Sequence, residues 1–395
     1  NNFACNMAIV NTGTVNKTAG ALTITQALTN QAGGTVTVST GATLTFTSGA
    51  LTQSGTFTVN GTLNLNGSSM VQTQLFTVDG TVNINTSYTF GTGGGFSGTG
   101  TVNIANGIST FNAGSTLTTK LSISSGTLAD NVGLMPGLVT LGSFGIYGGT
   151  GSPTFANGFI LNGGTLNGSG TVLVSGSMSL NNSASITGDK EIHLSGTGTV
   201  NNTASLSFSG NAKVRILSGG TLTLNGTGDI TSFGGANNLL EIQTGGTLVK
   251  SGANTYSLAL PFSLNGGDVV VNVGTFSVGP AVHTLSNGTV VLNGASIFRI
   301  NSSTANITGT AISGTGTLLL SASTTNVQAG TVISTKINIS SGTLNDNAGL
   351  QPGEVTLGSA AQAFYGGTGS PTFANGFIWV VGDLKGSGVI TVSGT

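Results

Sequence analysis

Charge is scarce in this chain. Of 395 residues, 9 are Lys or Arg and 10 are Asp or Glu, which is 5% in all, against about 25% in an ordinary soluble domain. With a formal net charge of −1 there is no basic excess to neutralise phosphates, so no nucleic-acid partner is expected. A single cysteine, Cys5, excludes an internal disulfide framework and a cysteine-based zinc cluster. Its remaining roles are a free thiol, a bond to another chain or a buried small residue. Six prolines and irregularly spaced glycines exclude collagen. No apolar run approaches the roughly 20 residues of a membrane-spanning helix, so no membrane insertion is expected. His193 and His283 have no neighbours at metal-ligand spacing, and neither a metal nor a cofactor is expected. The Ala-Glu-Lys-Leu mixture that favours helices is missing as well. The chain starts at Asn1 rather than Met and is read as processed or trimmed. Its hydroxyl and amide chemistry points to an extracellular or cell-surface location.

What the chain has in quantity is glycine, 67 residues, and runs of strict alternation. Thr35-Val36-Thr37-Val38, Thr56-Phe57-Thr58-Val59 and Thr221-Leu222-Thr223-Leu224 alternate polar β-branched and apolar residues with the period of a strand. A Gly or Asn-Gly pair precedes almost every run and turns the chain. The runs are evenly spaced. Thr62-Leu63-Asn64-Leu65 is followed by Thr81-Val82-Asn83-Ile84 and then Thr101-Val102-Asn103-Ile104. A period near 20 with short strands and glycine-rich corners predicts an all-β fold: a single-stranded, right-handed parallel β-helix (β-solenoid) of roughly 18 to 20 turns. Leu63, Val82 and Val102 are then expected to stack inward, and Asn64, Asn83 and Asn103 outward as a polar ladder. Charge scarcity follows from this arrangement. Like charges repeated at the strand spacing of about 4.8 Å repel, whereas Thr, Ser and Asn repeat without that cost.

A longer repeat overlies the short one. Residues 98–177 match 314–395, and the fourteen residues YGGTGSPTFANGFI at Tyr147–Ile160 recur unchanged at Tyr365–Ile378, with a two-residue insertion near Ala360. The chain is accordingly divided into an irregular N-terminal cap or docking segment (1–31), a first solenoid unit (32–217) and a second (218–395). The last run, Val389 to Thr395, reads as an ordinary rung without a cap, stopping where the first copy continues at Met178. An excerpt from a longer repeat protein and an end that docks on another subunit are both open.

Candidate chemistry is sparse. The densest charged group is Asp189, Lys190, Glu191 and His193, followed by Lys213, Arg215, Asp229 and Glu241. A polysaccharide-cleaving β-helix needs clustered carboxylates on successive turns, and this patch is the one candidate for it. Surface ion pairing or a subunit contact is the simpler reading. Asp130-Asn131 and Asp346-Asn347 recur in both copies within Asp-Asn-x-Gly-Leu-x-Pro-Gly. One carboxylate is too few for a calcium loop, so an Asx-capped turn is expected. Tyr147, Phe155, Tyr365 and Phe373, with Cys5, are the candidate contacts to glycans or another subunit. Inward stacking is the favoured alternative for the rings. Thr-x-Thr pairs resemble ice-binding faces, but Asn64 and Asn83 interrupt the grid.

Stretches such as Asn60-Gly61-Thr62-Leu63-Asn64-Leu65-Asn66-Gly67 resemble the β-helical repeat regions of large bacterial surface proteins. These include filamentous-haemagglutinin-like adhesins, autotransporter passengers and secreted repeat proteins of Bacteroidota. The resemblance implies an extracellular, non-enzymatic solenoid that is adhesive or built into a filament, sheath or coat. Self-association, end-to-end or lateral, is its expected partner chemistry, with surface glycans as a second. A carbohydrate-active enzyme and an ice-binding solenoid are the alternatives.

Overall fold

The computed structural model describes residues 2–67, 69–201, 203–358 and 362–393. Among these residues every regular element is a strand and none is a helix. The strands stack in parallel about 20 residues apart and form a β-solenoid of about 19 turns. The chain makes two compact units, Asn1–Glu191 and Ile192–Thr395.

In the first unit each turn lays down up to three short strands on three faces. One turn comprises Thr62–Leu65, Ser69–Gln72 and Phe76–Val78, and the next begins at Thr81–Ile84. The first face stacks Asn2–Cys5, Ala21–Ile24, Thr43–Phe46, Thr62–Leu65, Thr81–Ile84 and Thr101–Ile104 in that order. The register is the one the alternation predicts. Leu63 pairs with Val82 and Val82 with Val102, while Leu65, Ile84 and Ile104 form the neighbouring column. All six are buried. Short alternating strands suffice here because each apolar side chain is covered from above and below by its equivalent in adjacent turns, which removes it from water.

Aromatic rings fill inward positions of several strands. Phe57, Phe76 and Phe96 share one column, with ring centroids 4.7 and 5.5 Å apart. Phe90 joins them edge-on to Phe96 at 5.2 Å and stacks on Phe111 at 4.5 Å. These separations are those of favourable aromatic pairs.

Strands within residues 2–30 pair in the same parallel ladder, so this stretch is regular in its pairing. Asn2–Cys5 pairs with Ala21–Ile24, Ile9–Asn11 with Leu28–Asn30, and Thr14–Lys17 with Thr35–Val38. Their sequence reads as irregular because core-side positions carry Asn11, Asn30 and Lys17 rather than aliphatic residues.

The second unit has the same construction, with some turns longer. Equivalent positions lie 19 residues apart at Asn64 and Asn83 of the first unit, but 26 apart at Arg215 and Glu241 of the second. Leu222, Leu248, Val269, Val290, Ile312 and Ile333 form one inward column. Phe276 and Phe298 stack at 5.8 Å in another. The extra residues enter the corners and leave the registers intact. Position 217/218, where the sequence reading starts its second copy, is no break in the ladder, since Thr197–Val200 pairs directly with Thr221–Leu224. The insertion at Ala360 and the terminal Gly394-Thr395 lie outside the described residues.

Candidate functional site

Outward positions carry amides and hydroxyls that bond from turn to turn. Asn64 Nδ2 donates to Thr45 Oγ1 at 3.1 Å, Asn83 Nδ2 to Asn64 Oδ1 at 2.8 Å, and Asn103 Nδ2 to Asn83 Oδ1 at 3.4 Å. Asn306, Asn326 and Asn345 form a similar ladder in the second unit, at 2.9 and 2.8 Å. An Asn in such a column is donor to one neighbour and acceptor from the other, so each new turn satisfies the last. A second ladder lies inside the first unit. Asn11 Nδ2 donates to Asn30 Oδ1 at 2.8 Å, Asn30 Nδ2 to Gln53 Oε1 at 3.0 Å, and Gln53 Nε2 to the Gly55 carbonyl at 2.8 Å. This buried amide column has a sequence signal, an amide at the same phase of successive strands, which a search for charged clusters passes over.

The Asp130 and Asp346 segments are the most elaborate polar sites. Asp130 is fully buried. Its Oδ1 accepts from the backbone N–H of Val132 and Gly133 at 2.9 and 2.8 Å, and its Oδ2 from Leu134 N–H at 3.0 Å and Tyr147 Oη at 2.8 Å. Asp346 repeats the pattern with Ala348, Gly349, Leu350 and Tyr365, at 2.9, 2.8, 3.0 and 2.8 Å. The expected Asx turn is present and is extended by a tyrosine from the following turn. Gly133 and Gly349 sit at φ +85° and +76°, in the left-handed region that suits glycine, which explains the fixed Gly in both motifs. Burial and the adjacent carboxylate hold the Tyr147 hydroxyl well above its ordinary pKa, and Tyr365 is shifted in the same direction for the same reasons.

Lys190, an element of the candidate charged patch, is inside the protein, with 0% of its surface exposed. Its ammonium donates to the carbonyls of Ser169 at 2.6 Å, Gly151 at 3.2 Å and Gly149 at 3.4 Å. Burial pulls its pKa down to about 8, against the opposing pull of the Asp130 charge. An unfolded lysine titrates near 10.5, so between pH 8 and 10 the unfolded chain holds more protons than the folded one. Stability is therefore expected to rise with pH across that window, by an amount on the order of 2–3 kcal/mol. Urea unfolding of the first unit at pH 7.5 and 9.5 checks this, and Lys190→Met is expected to flatten the rise. An equal rise in that variant would assign it to another group.

Of the other patch residues, His193, Lys213 with Arg215, and Glu241 lie on neighbouring strands of one sheet, and Asp229 lies on another sheet. Arg215 Nη1 pairs with Glu241 Oε2 at 2.6 Å, and Glu241 also accepts from Gln243 at 3.2 Å and Asn265 at 3.4 Å. Lys213 is opposite Leu239 in the ladder and Asp229 is exposed. Tyr147, Phe155, Tyr365 and Phe373 are buried, so the inward reading describes them and they do not offer rings to a glycan or another subunit. Phe155 packs edge-on to Tyr147 at 5.4 Å, as Phe373 does to Tyr365. Cys5 is half-buried, its thiol 3.6 Å from the Met7 carbonyl. His283 is buried with Nε2 2.8 Å from the Gly279 oxygen, and burial lowers its pKa. Among the described residues no three of His, Cys, Asp or Glu are grouped to hold a metal.

No family model matches this chain, and no curated protein or solved structure matches it.

Proposed function

We propose that the chain is an extracellular, non-enzymatic structural or adhesive β-solenoid that builds a surface filament, sheath or coat by self-association. The observation that carries this reading is the turn-to-turn sameness of the polar ladders, of which Thr45–Asn64–Asn83–Asn103 is the clearest. Such a surface spends its polar groups on stacking and extends by adding another turn, the chemistry of edge-to-edge β addition. The bracketed aspartates serve the same end, because four donors fix each carboxylate inside the wall. The enzymatic alternative is weakened by the commitment of Glu241 to Arg215. The ice-binding alternative is weakened by the step from Thr43/Thr45 to Thr62/Asn64 on the next rung.

Negative-stain electron microscopy over a rising concentration series tests the proposal. Filaments or laterally aligned bundles are expected. Dispersed single particles at the highest concentration would count against assembly.

A further inference from the structure

Asparagine followed by glycine is chemically labile, because glycine has no Cβ to shield its nitrogen from the preceding side chain. Such pairs recur along this chain, and the fold treats them differently. At Asn60-Gly61 and Asn265-Gly266 the glycine N–H is committed to the ladder. Gly61 donates to the Val38 carbonyl at 3.0 Å and Gly266 to the Ser286 carbonyl at 2.8 Å. At Asn167-Gly168 the glycine N–H turns onto the preceding side chain, 2.6 Å from Asn167 Oδ1. Gly107 makes the same contact with Asn106 Oδ1 at 2.8 Å. Asn167 has a further partner. Thr187 Oγ1, from the next turn, donates to the same Oδ1 at 3.0 Å and lies 3.3 Å from the Leu166 carbonyl. The backbone on either side is held in the wall, by Asn167 N–H on the Tyr147 carbonyl at 2.8 Å and Ser169 N–H on the Gly149 carbonyl at 3.1 Å. The Asn167 side chain is exposed, so solvent reaches it.

We propose that Asn167 is a self-modification site, converted to aspartate and isoaspartate through a cyclic imide with Gly168. The Gly168 nitrogen gives its proton to solvent base and bonds to Asn167 Cγ. Negative charge gathers on Oδ1, where the Thr187 hydroxyl meets it as an oxyanion-hole donor does. The Cγ–Nδ2 bond then breaks, and ammonia leaves after taking a proton from solvent. Water adds to one of the two imide carbonyls and reopens the ring, leaving a carboxylate. Oδ1 is bonded to Cγ, so a nitrogen 2.6 Å from Oδ1 already lies beside the carbon it attacks, and little orienting entropy remains to be lost. Asn106 shares the positioned nitrogen, and Asn167 adds the hydroxyl. The product alters the wall. Isoaspartate lengthens the main chain by one atom just before Gly168, and the carbonyl of the following Ser169 holds the Lys190 ammonium at 2.6 Å. A negative charge also enters an outer face with few charges.

The full 395-residue chain is aged in mildly alkaline buffer, and isoaspartate is read site by site from peptide maps by mass spectrometry. In the folded chain Asn167 is expected to convert faster than Asn106 and several-fold faster than Asn60 and Asn265. In concentrated urea the four rates are expected to converge, because the positioned nitrogen and the hydroxyl are lost with the fold. Thr187→Val is expected to slow Asn167 about tenfold. Thr187→Ser should keep the wild-type rate, and neither variant should change the rate at Asn106, which also reports that the unit is folded. Conversion of Asn167 no faster than Asn60 and Asn265 in the folded chain overturns the proposal. So does the same spread of rates in urea, which would trace the order to local sequence alone.

Discussion

Asp130→Ala is expected to lower the unfolding free energy of the first unit by about 4 kcal/mol. The substitution removes one acceptor and strands three backbone N–H groups and the Tyr147 hydroxyl. Each buried donor without a partner costs about 1–3 kcal/mol, and partial rearrangement or water entry recovers some of the total. Asp130→Asn should cost less, because its carbonyl still serves Oδ1's two donors while its amide nitrogen faces the Leu134 N–H. Tyr147→Phe should cost least, about 1–2 kcal/mol, since it removes a single bond. Urea midpoints monitored by circular dichroism give the order. A midpoint for the alanine variant within about 0.5 kcal/mol of wild type would mean that the bracket contributes little.

Phe76→Ala is expected to cost about the same, 3–5 kcal/mol, by a different route. Phe76 is fully buried between Phe57 and Phe96. Truncation loses the transfer energy of the ring and leaves a void that neighbouring turns close poorly, because their positions are fixed by backbone ladders on three faces. Phe76→Leu refills most of the volume and should cost about 1–2 kcal/mol. In a stacked architecture the loss spreads through nearest neighbours. Hydrogen exchange should therefore accelerate first at the rungs of Phe57 and Phe96, and uniform acceleration along the unit would contradict this nearest-neighbour picture.

The rungs are legible in sequence because the solenoid imposes two simple periods at once. Alternation of two sets inward and outward faces, and recurrence near 20 sets the partner. The pairing of Leu63, Val82 and Val102 needs nothing more. Three features are harder to read. Residues 2–30 hide their rungs, since Asn11, Asn30 and Lys17 occupy positions that the simple pattern gives to aliphatic residues. The depth of Lys190 is concealed because a lone lysine beside Asp189 and Glu191 looks like a solvated charge. Its burial depends on carbonyls that are 21, 39 and 41 residues away in sequence. The orientation of Tyr147 and Tyr365 is undecided by their Gly- and Pro-rich surroundings. Here the hydroxyl's partner settles it, a carboxylate 17 or 19 residues earlier.

The parallel, in-register stacking of successive turns is tested most directly by cysteine pairing on the outer face. Thr62 lies opposite Thr81 in the ladder, and Asn83 is two residues further along the same strand. Facing residues on paired strands are about 4.8 Å apart, within the span of a disulfide, whereas the diagonal exceeds the roughly 7 Å limit. In a Cys5→Ser background, mild oxidation of Thr62→Cys/Thr81→Cys is expected to give an intramolecular disulfide, read by mass spectrometry of the non-reduced protein. Thr62→Cys/Asn83→Cys is expected to keep both thiols. Bridging of the second pair and not the first would contradict the register on which the ladders and the brackets depend.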